Sequence, residues 1–156
     1  KELLTYLHPD RFTGGTSSEK KLALQWTTKI NEAHTILKDP AKRAIYLCKL
    51  TGIILEIEKS TAFSMEILEE QMDLREKLSE IVETFSNKNF DLSLLDGLEK
   101  RANSMLSRSV ETLEKLFKLD YKEDKKILQK IESQVNLCLF SQKFTLECFE
   151  VRRRFL

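Results

Sequence analysis

Tyr6-Leu7-His8-Pro9-Asp10-Arg11-Phe12 lies between a short apolar run and a loop containing Gly14 and Gly15. Pro9 has no backbone N–H and pushes His8 out of the helical region, so a helix arriving from Lys1 is predicted to end at Leu7 or His8. Leu3, Leu4 and Leu7 share one face of that arriving helix. Beyond it, an imidazole, a rigid ring and a carboxylate occupy a polar turn beside Arg11. Asp10 can accept hydrogen bonds from backbone N–H groups or from an arginine on a partner, and His8 can donate or accept according to its tautomer. Taken alone, three such residues also describe an ordinary helix stop followed by a surface loop.

Outward from this turn, residues 8–16 read as loop. Thr16 and Glu19 have the spacing of a capping box that starts a helix reaching about Lys38. Leu22, Trp26, Ile30, Ala33 and Leu37 recur every three or four residues on it and are expected to form one buried stripe. Lys20, Lys21 and Lys29 face elsewhere, toward solvent, and His34 reads as a structural histidine with its hydrogen bonds satisfied. Asp39 followed by Pro40 is an N-cap with proline at the first helical position, and Gly52 closes the helix that follows. That short helix is expected to bury Ala44, Leu47 and Cys48. Ile53, Ile54, Leu55 and Ile57 make residues 53–63 a junction apolar enough to pack on both sides, hence a fixed one.

No proline follows Pro40, and long helices are the default for the rest of the chain. The first is expected from Ser64 to Phe85, burying Ile67, Leu74, Leu78, Ile81 and Phe85. The second is expected from an Asp91 cap to about Lys118, with Leu95, Leu98, Ala102, Met105, Val110, Leu113 and Phe117 inward. Gly97 within it suggests close packing. After a turn over Asp120–Asp124, a third helix runs to the end and carries Ile127, Ile131, Val135, Phe140, Phe144 and Phe149. Short links between long helices predict an antiparallel three-helix bundle, so the fold class is all-α.

The chain has 156 residues, 41% hydrophobic and 33% charged, a balance that folds. No apolar run approaches the ~20 residues that span a bilayer, so no membrane role is expected. Residues 1–52 carry nine Lys/Arg against five Asp/Glu, and residues 53–156 carry seventeen against twenty. A mildly basic front and a mildly acidic back suggest two partner-facing surfaces of opposite sign, neither basic enough to propose nucleic acid. Cys48, Cys138 and Cys148 form no C-x-x-C pair and read as inert core thiols of a reducing compartment, with no metal or cofactor expected. The two histidines, His8 and His34, form no recognisable catalytic set with these thiols, and hydrolase, P-loop and dinucleotide fingerprints are absent. An enzyme is therefore not expected.

One further line stands out on the Ser64–Phe85 helix. Leu68, Met72, Glu76 and Glu80 follow i, i+4 spacing on a face away from the expected core, with Asp73 beside them. Two apolar residues leading into carboxylates make either a widened core stripe with solvated acids or a surface for a partner.

The heptapeptide at 6–12, the Gly/Ser loop, the helix containing Ile30-Asn31-Glu32-Ala33-His34-Thr35-Ile36-Leu37 and the run Asp39-Pro40-Ala41-Lys42-Arg43-Ala44-Ile45-Tyr46-Leu47 together resemble a J-domain. That module stimulates ATP hydrolysis by heat-shock-70 family chaperones through a His-Pro-Asp loop. Leu68-Glu69-Glu70-Gln71-Met72-Asp73-Leu74-Arg75-Glu76 resembles a signature of the HscB type, the J-proteins of iron–sulfur cluster assembly. The resemblance spans essentially the whole chain. It implies a J-domain over 1–52 whose first helix precedes Lys1, a junction over 53–63, and a scaffold-binding bundle over 64–156 in an L-shaped arrangement.

The implied chaperone contacts (HscA type) are His8, Pro9, Asp10 and Arg11. The implied contacts to the iron–sulfur scaffold protein (IscU type) are Leu68, Met72, Asp73, Glu76, Glu80 and, from the last helix, Leu139 ahead of Phe140. Glu69 departs from the pattern, which usually has Met there. The visible helix before His8 supplies only Lys1, so the basic contact of such domains is expected upstream of it, or else at Arg11, Lys20 and Lys21. The implied compartment is the bacterial cytoplasm, with the mitochondrial matrix as the alternative. Two other readings of the residues stay open: a general J-protein whose bundle binds unfolded clients, and a helical adaptor whose His-Pro-Asp is incidental.

Overall fold

The computed structural model describes residues 9–12, 14–57, 65–85 and 92–155. A single turn of 3-10 helix, Pro9–Phe12, precedes five α-helices: α1 Ser17–Lys38, α2 Pro40–Leu50, α3 Met65–Phe85, α4 Leu92–Leu116 and α5 Lys125–Phe155. The described residues are otherwise turns and extended links, so the all-α class holds. The expected helix up to Leu7, the side chain of His8, the Ser64 start, the Asp91 cap and the 58–63 part of the junction lie outside the described residues. The loop expected over 8–16 contains the 3-10 turn, which begins at Pro9, where a fixed φ suits the first helical position.

The helix starts follow the capping residues. The Thr16 side chain accepts from the Glu19 N–H, while a Glu19 carboxylate oxygen accepts from the Thr16 N–H at 2.7 Å, which is the reciprocal box. These bonds hold the Glu19 carboxyl below its ordinary pKa. Asp39 Oδ1 accepts from Ala41 N–H at 2.9 Å and Lys42 N–H at 3.1 Å, opening α2. α2 stops where Gly52 adopts φ 81°, a left-handed conformation that glycine takes without a Cβ clash. Asp124 caps α5 in the same way, accepting from Lys126 and Ile127.

Two adjoining cores hold these helices. In one, Leu74, Leu78 and Ile81 of α3 meet Leu95, Leu98, Ala102 and Met105 of α4 and Leu137, Phe144 and Cys148 of α5. In the other, Ala41, Ala44 and Cys48 of α2 meet Leu113 and Leu116 of α4 and Ile131, Val135 and Cys138 of α5. Small residues on α2 let its backbone approach α5 closely. The α2 face thus shares a core with α4 and α5, and α1 reaches them chiefly by way of α2.

Several expected burials are corrected. On α1 the stripe is largely exposed: Leu22, Trp26 (48% exposed), Ala33 and Leu37 face out, Ile30 is half-buried, and only Ala23 is buried. A stripe requires a partner, and among the described residues α1 packs mainly on α2 and the 3-10 turn. Lys29 Nζ instead lies 5.3 Å from the Trp26 ring centre. His34 is exposed on the same helix.

Leu47 is exposed at the rim of a cleft between α2 and α4, and Ala41 takes the inward place. Ile54 is 88% exposed because the junction is extended and its side chains alternate, sending Ile53, Leu55 and Ile57 inward. Phe149 is exposed because α2 begins beside Gln142 and the second core goes no further along that face of α5. Gly97 is exposed with nothing within 4 Å of an added Cβ, so close packing does not explain it.

The junction is nonetheless pinned. Glu132 of α5 accepts from the Glu56 N–H at 2.8 Å, and Asn136 Nδ2 donates to the Ile57 carbonyl at 2.9 Å. Gln142 Nε2 reaches Asp39 Oδ1 at 3.3 Å, tying the α1–α2 corner to the same helix. α5 therefore serves as the spine of the chain.

Candidate functional site

α3 turns three faces to three surroundings. Leu74, Leu78 and Ile81 point into the core, so the 100° step per residue places Glu70, Asp73 and Lys77 on one flank and Arg75 on the other. The first flank meets α4. Asp73 Oδ2 accepts from Arg101 Nη1 at 2.7 Å, and Lys77 Nζ donates to the same carboxylate at 3.0 Å. Glu70 pairs with Arg108 at 3.2 Å. The second flank meets α5, where the Arg75 guanidinium lies 5.4 Å from the centre of the Phe140 ring, itself stacked on Phe144.

Between the flanks, facing outward, run Met65, Leu68, Met72, Glu76 and Glu80. Met72 is 70% exposed and Leu68 39%. Glu76 and Glu80 are exposed, and among the described residues no basic side chain pairs with their carboxylates. Of the two readings of this line, the widened core stripe fails: the apolar members are at the surface.

Leu139 of α5 is 37% exposed and stands one residue, a 100° step, from the Phe140 that Arg75 covers. Asp73 is the exception among the expected acidic scaffold contacts of α3, because its carboxylate is already engaged within the chain. Its pKa is lowered, first by the Arg101 hydrogen bond and then by that of Lys77. The ties to Arg101, Arg108 and Phe140 escaped sequence reasoning, since the partners stand far apart along the chain and surface arginines carry no periodic signal.

At the front of the molecule, Asp10 and Arg11 are exposed on the 3-10 turn. His8 lies outside the described residues. The three cysteines are buried, and desolvation pushes their thiols up to about 11 at Cys48 and Cys138 and about 12 at Cys148. Thiols so protonated are poor nucleophiles and poor ligands. Among the described residues no group of His, Cys, Asp and Glu is gathered as a metal site, and no helix is long and apolar enough to cross a membrane.

Fold and surface define a class: an all-α protein in which a helical hairpin is carried on a three-helix bundle that displays one apolar-to-acidic line. The comparisons narrow it. Residues 63–135 match the family profile described as the HSCB C-terminal oligomerisation domain. The chain is 36% identical over 102 residues to a protein of Burkholderia thailandensis named co-chaperone protein HscB homolog, covering 65% of this chain and 58% of that one. It is 43% identical over 92 residues to the protein of the same name from Paraburkholderia xenovorans, covering 59% and 50%. Among solved structures it is similar to chaperone HscB from Vibrio cholerae, with TM-score 0.71 and 26% identity over 99% of this chain and 86% of that one. By profile, by curated relatives and by solved structure the chain is similar to proteins of the HscB type. It spans about half the length of the curated relatives it matches.

Proposed function

We propose that this protein is a co-chaperone that holds an iron–sulfur scaffold protein of the IscU type on its bundle and presents it to a heat-shock-70 family chaperone of the HscA type. It would thereby aid iron–sulfur cluster assembly and transfer. The observation that carries the reading is the outward line Leu68–Met72–Glu76–Glu80, exposed on a bundle similar to that of the HscB type. Leu68, Met72 and Leu139 supply an apolar centre, Glu76 and Glu80 an acidic edge, and Asp73 supports them.

The chaperone engages His8, Pro9, Asp10 and Arg11. The protein performs no chemistry of its own and holds no cofactor. It favours the hydrolysis-competent state of its partner, a population shift whose size equals the difference in binding between the two partner states. The J-domain over 1–52 and the bundle over 64–156, joined through the junction at 53–63, carry one partner each, and holding both raises their effective concentration. Relatives of bacterial origin support a bacterial cytoplasmic setting for this activity.

The test separates the two surfaces. His8→Gln is expected to abolish ATPase stimulation and to leave scaffold binding unchanged. Leu68→Ala with Met72→Ala is expected to weaken scaffold binding about tenfold or more, the scale of losing two apolar anchors, and to spare stimulation of the chaperone alone. Loss of both activities in both variants would refute the two-surface reading.

A further inference from the structure

α3 carries the docking line, yet the bundle holds it unevenly. Leu74, Leu78 and Ile81 are buried, but toward its N-terminal half the helix stands off from α4 and α5. A cleft of about 160 Å³ lies there, lined in part by Ile67, Glu70, Met105, Arg108 and Leu137. Glu70 and Arg108, which line this cleft, pair at 3.2 Å, and about a turn further along α3 Asp73 meets Arg101 at 2.7 Å. On the opposite flank Arg75 lies over Phe140. Ties on both flanks of a helix limit its roll about its own axis, and roll decides which residues face out. A step of 100° would carry Met72 from the surface to a flank.

We propose that Asp73 is a positioning residue for scaffold docking and not a contact: through Arg101 it fixes the roll of α3, so that Leu68, Met72 and Glu76 face outward together. This rests on the reading that the line receives the scaffold. A carboxylate already shared by a guanidinium and an ammonium has part of its charge and acceptor capacity committed, and so offers less to a partner's cation. Glu76 and Glu80, exposed and unpaired among the described residues, surrender nothing. Those two therefore carry the electrostatic part of recognition, and Asp73 determines where they point.

The experiment is calorimetric titration of the full-length protein with purified IscU-type scaffold at several salt concentrations. The variants are Asp73→Asn, Arg101→Gln, the two combined, Arg101→Lys and Glu76→Gln. Asp73→Asn and Arg101→Gln should each weaken binding about threefold, the size of a partly exposed ion pair, and the combined variant should be no weaker than either alone. Arg101→Lys, which keeps the cation, should stay near wild type. Glu76→Gln should flatten the dependence of affinity on salt, whereas Asp73→Asn should lower affinity without changing that slope.

A neutral Arg101→Gln beside a weakened Asp73→Asn with a flattened slope would overturn the proposal and make Asp73 a direct contact. A wild-type protein that binds no scaffold would overturn the docking reading itself. The first result leaves that reading standing, so the two failures are distinguishable.

Discussion

Ser141 of α5 is fully buried, and its hydroxyl has no hydrogen-bond partner. A desolvated, unsatisfied hydroxyl costs about 1–3 kcal/mol, and alanine removes it with little change in volume. Ser141→Ala should therefore raise the melting temperature by a few degrees, read by thermal unfolding; an unchanged or lower value would mean that the hydroxyl is satisfied. At this scale the sequence was informative wherever the chemistry is local. Thr16 with Glu19, and Asp39 with Pro40, bond within three residues of themselves, so their spacing alone revealed them. Asp73 was not readable in that way. Its partner Arg101 stands 28 positions away on another helix, and only the fold brings the two together.

At the scale of the element, α4 shows what periodicity can and cannot say. Leu95, Leu98, Ala102, Met105 and Leu113 are buried as their spacing requires, with Val110 and Phe117 half-buried. Gly97 belongs to the same helix but has open space around it. Gly97→Ala should stabilise the protein by about 0.5–1 kcal/mol, since it only removes backbone freedom from the unfolded chain. A destabilised variant in chemical denaturation would show that the position needs glycine after all.

The stripe of α1 taught the converse lesson. Periodicity shows that a face seeks cover, not that cover is present, and Leu22, Trp26 and Leu37 are exposed. α5 hid more than any other helix. It packs against α2, α3 and α4, so its buried residues ring much of its circumference. Leu137 and Ser141 therefore fell outside the single stripe traced through Ile131, Val135 and Phe144, whereas Cys138 and Cys148 are buried as expected of core thiols.

At the scale of the whole molecule, the two expected surfaces are joined by contacts that a flexible linker would lack. Asp39 both caps α2 and meets Gln142, and the junction hangs from Glu132 and Asn136. The apolar composition of residues 53–57 announced a fixed joint, but not that α2 would share a core with α4 and α5. That sharing depends on three small residues, Ala41, Ala44 and Cys48, whose spacing carries little hydrophobic signal.

A front that meets a chaperone and a back that holds its client should act together only if both are present on one body. The most direct measurement is the steady-state ATPase rate of the cognate heat-shock-70 family chaperone, with the scaffold protein, the full-length protein, and both. The two together should stimulate far more than either alone, and His8→Gln should remove the effect. Stimulation indifferent to the scaffold, or none at all, would refute the two-surface reading.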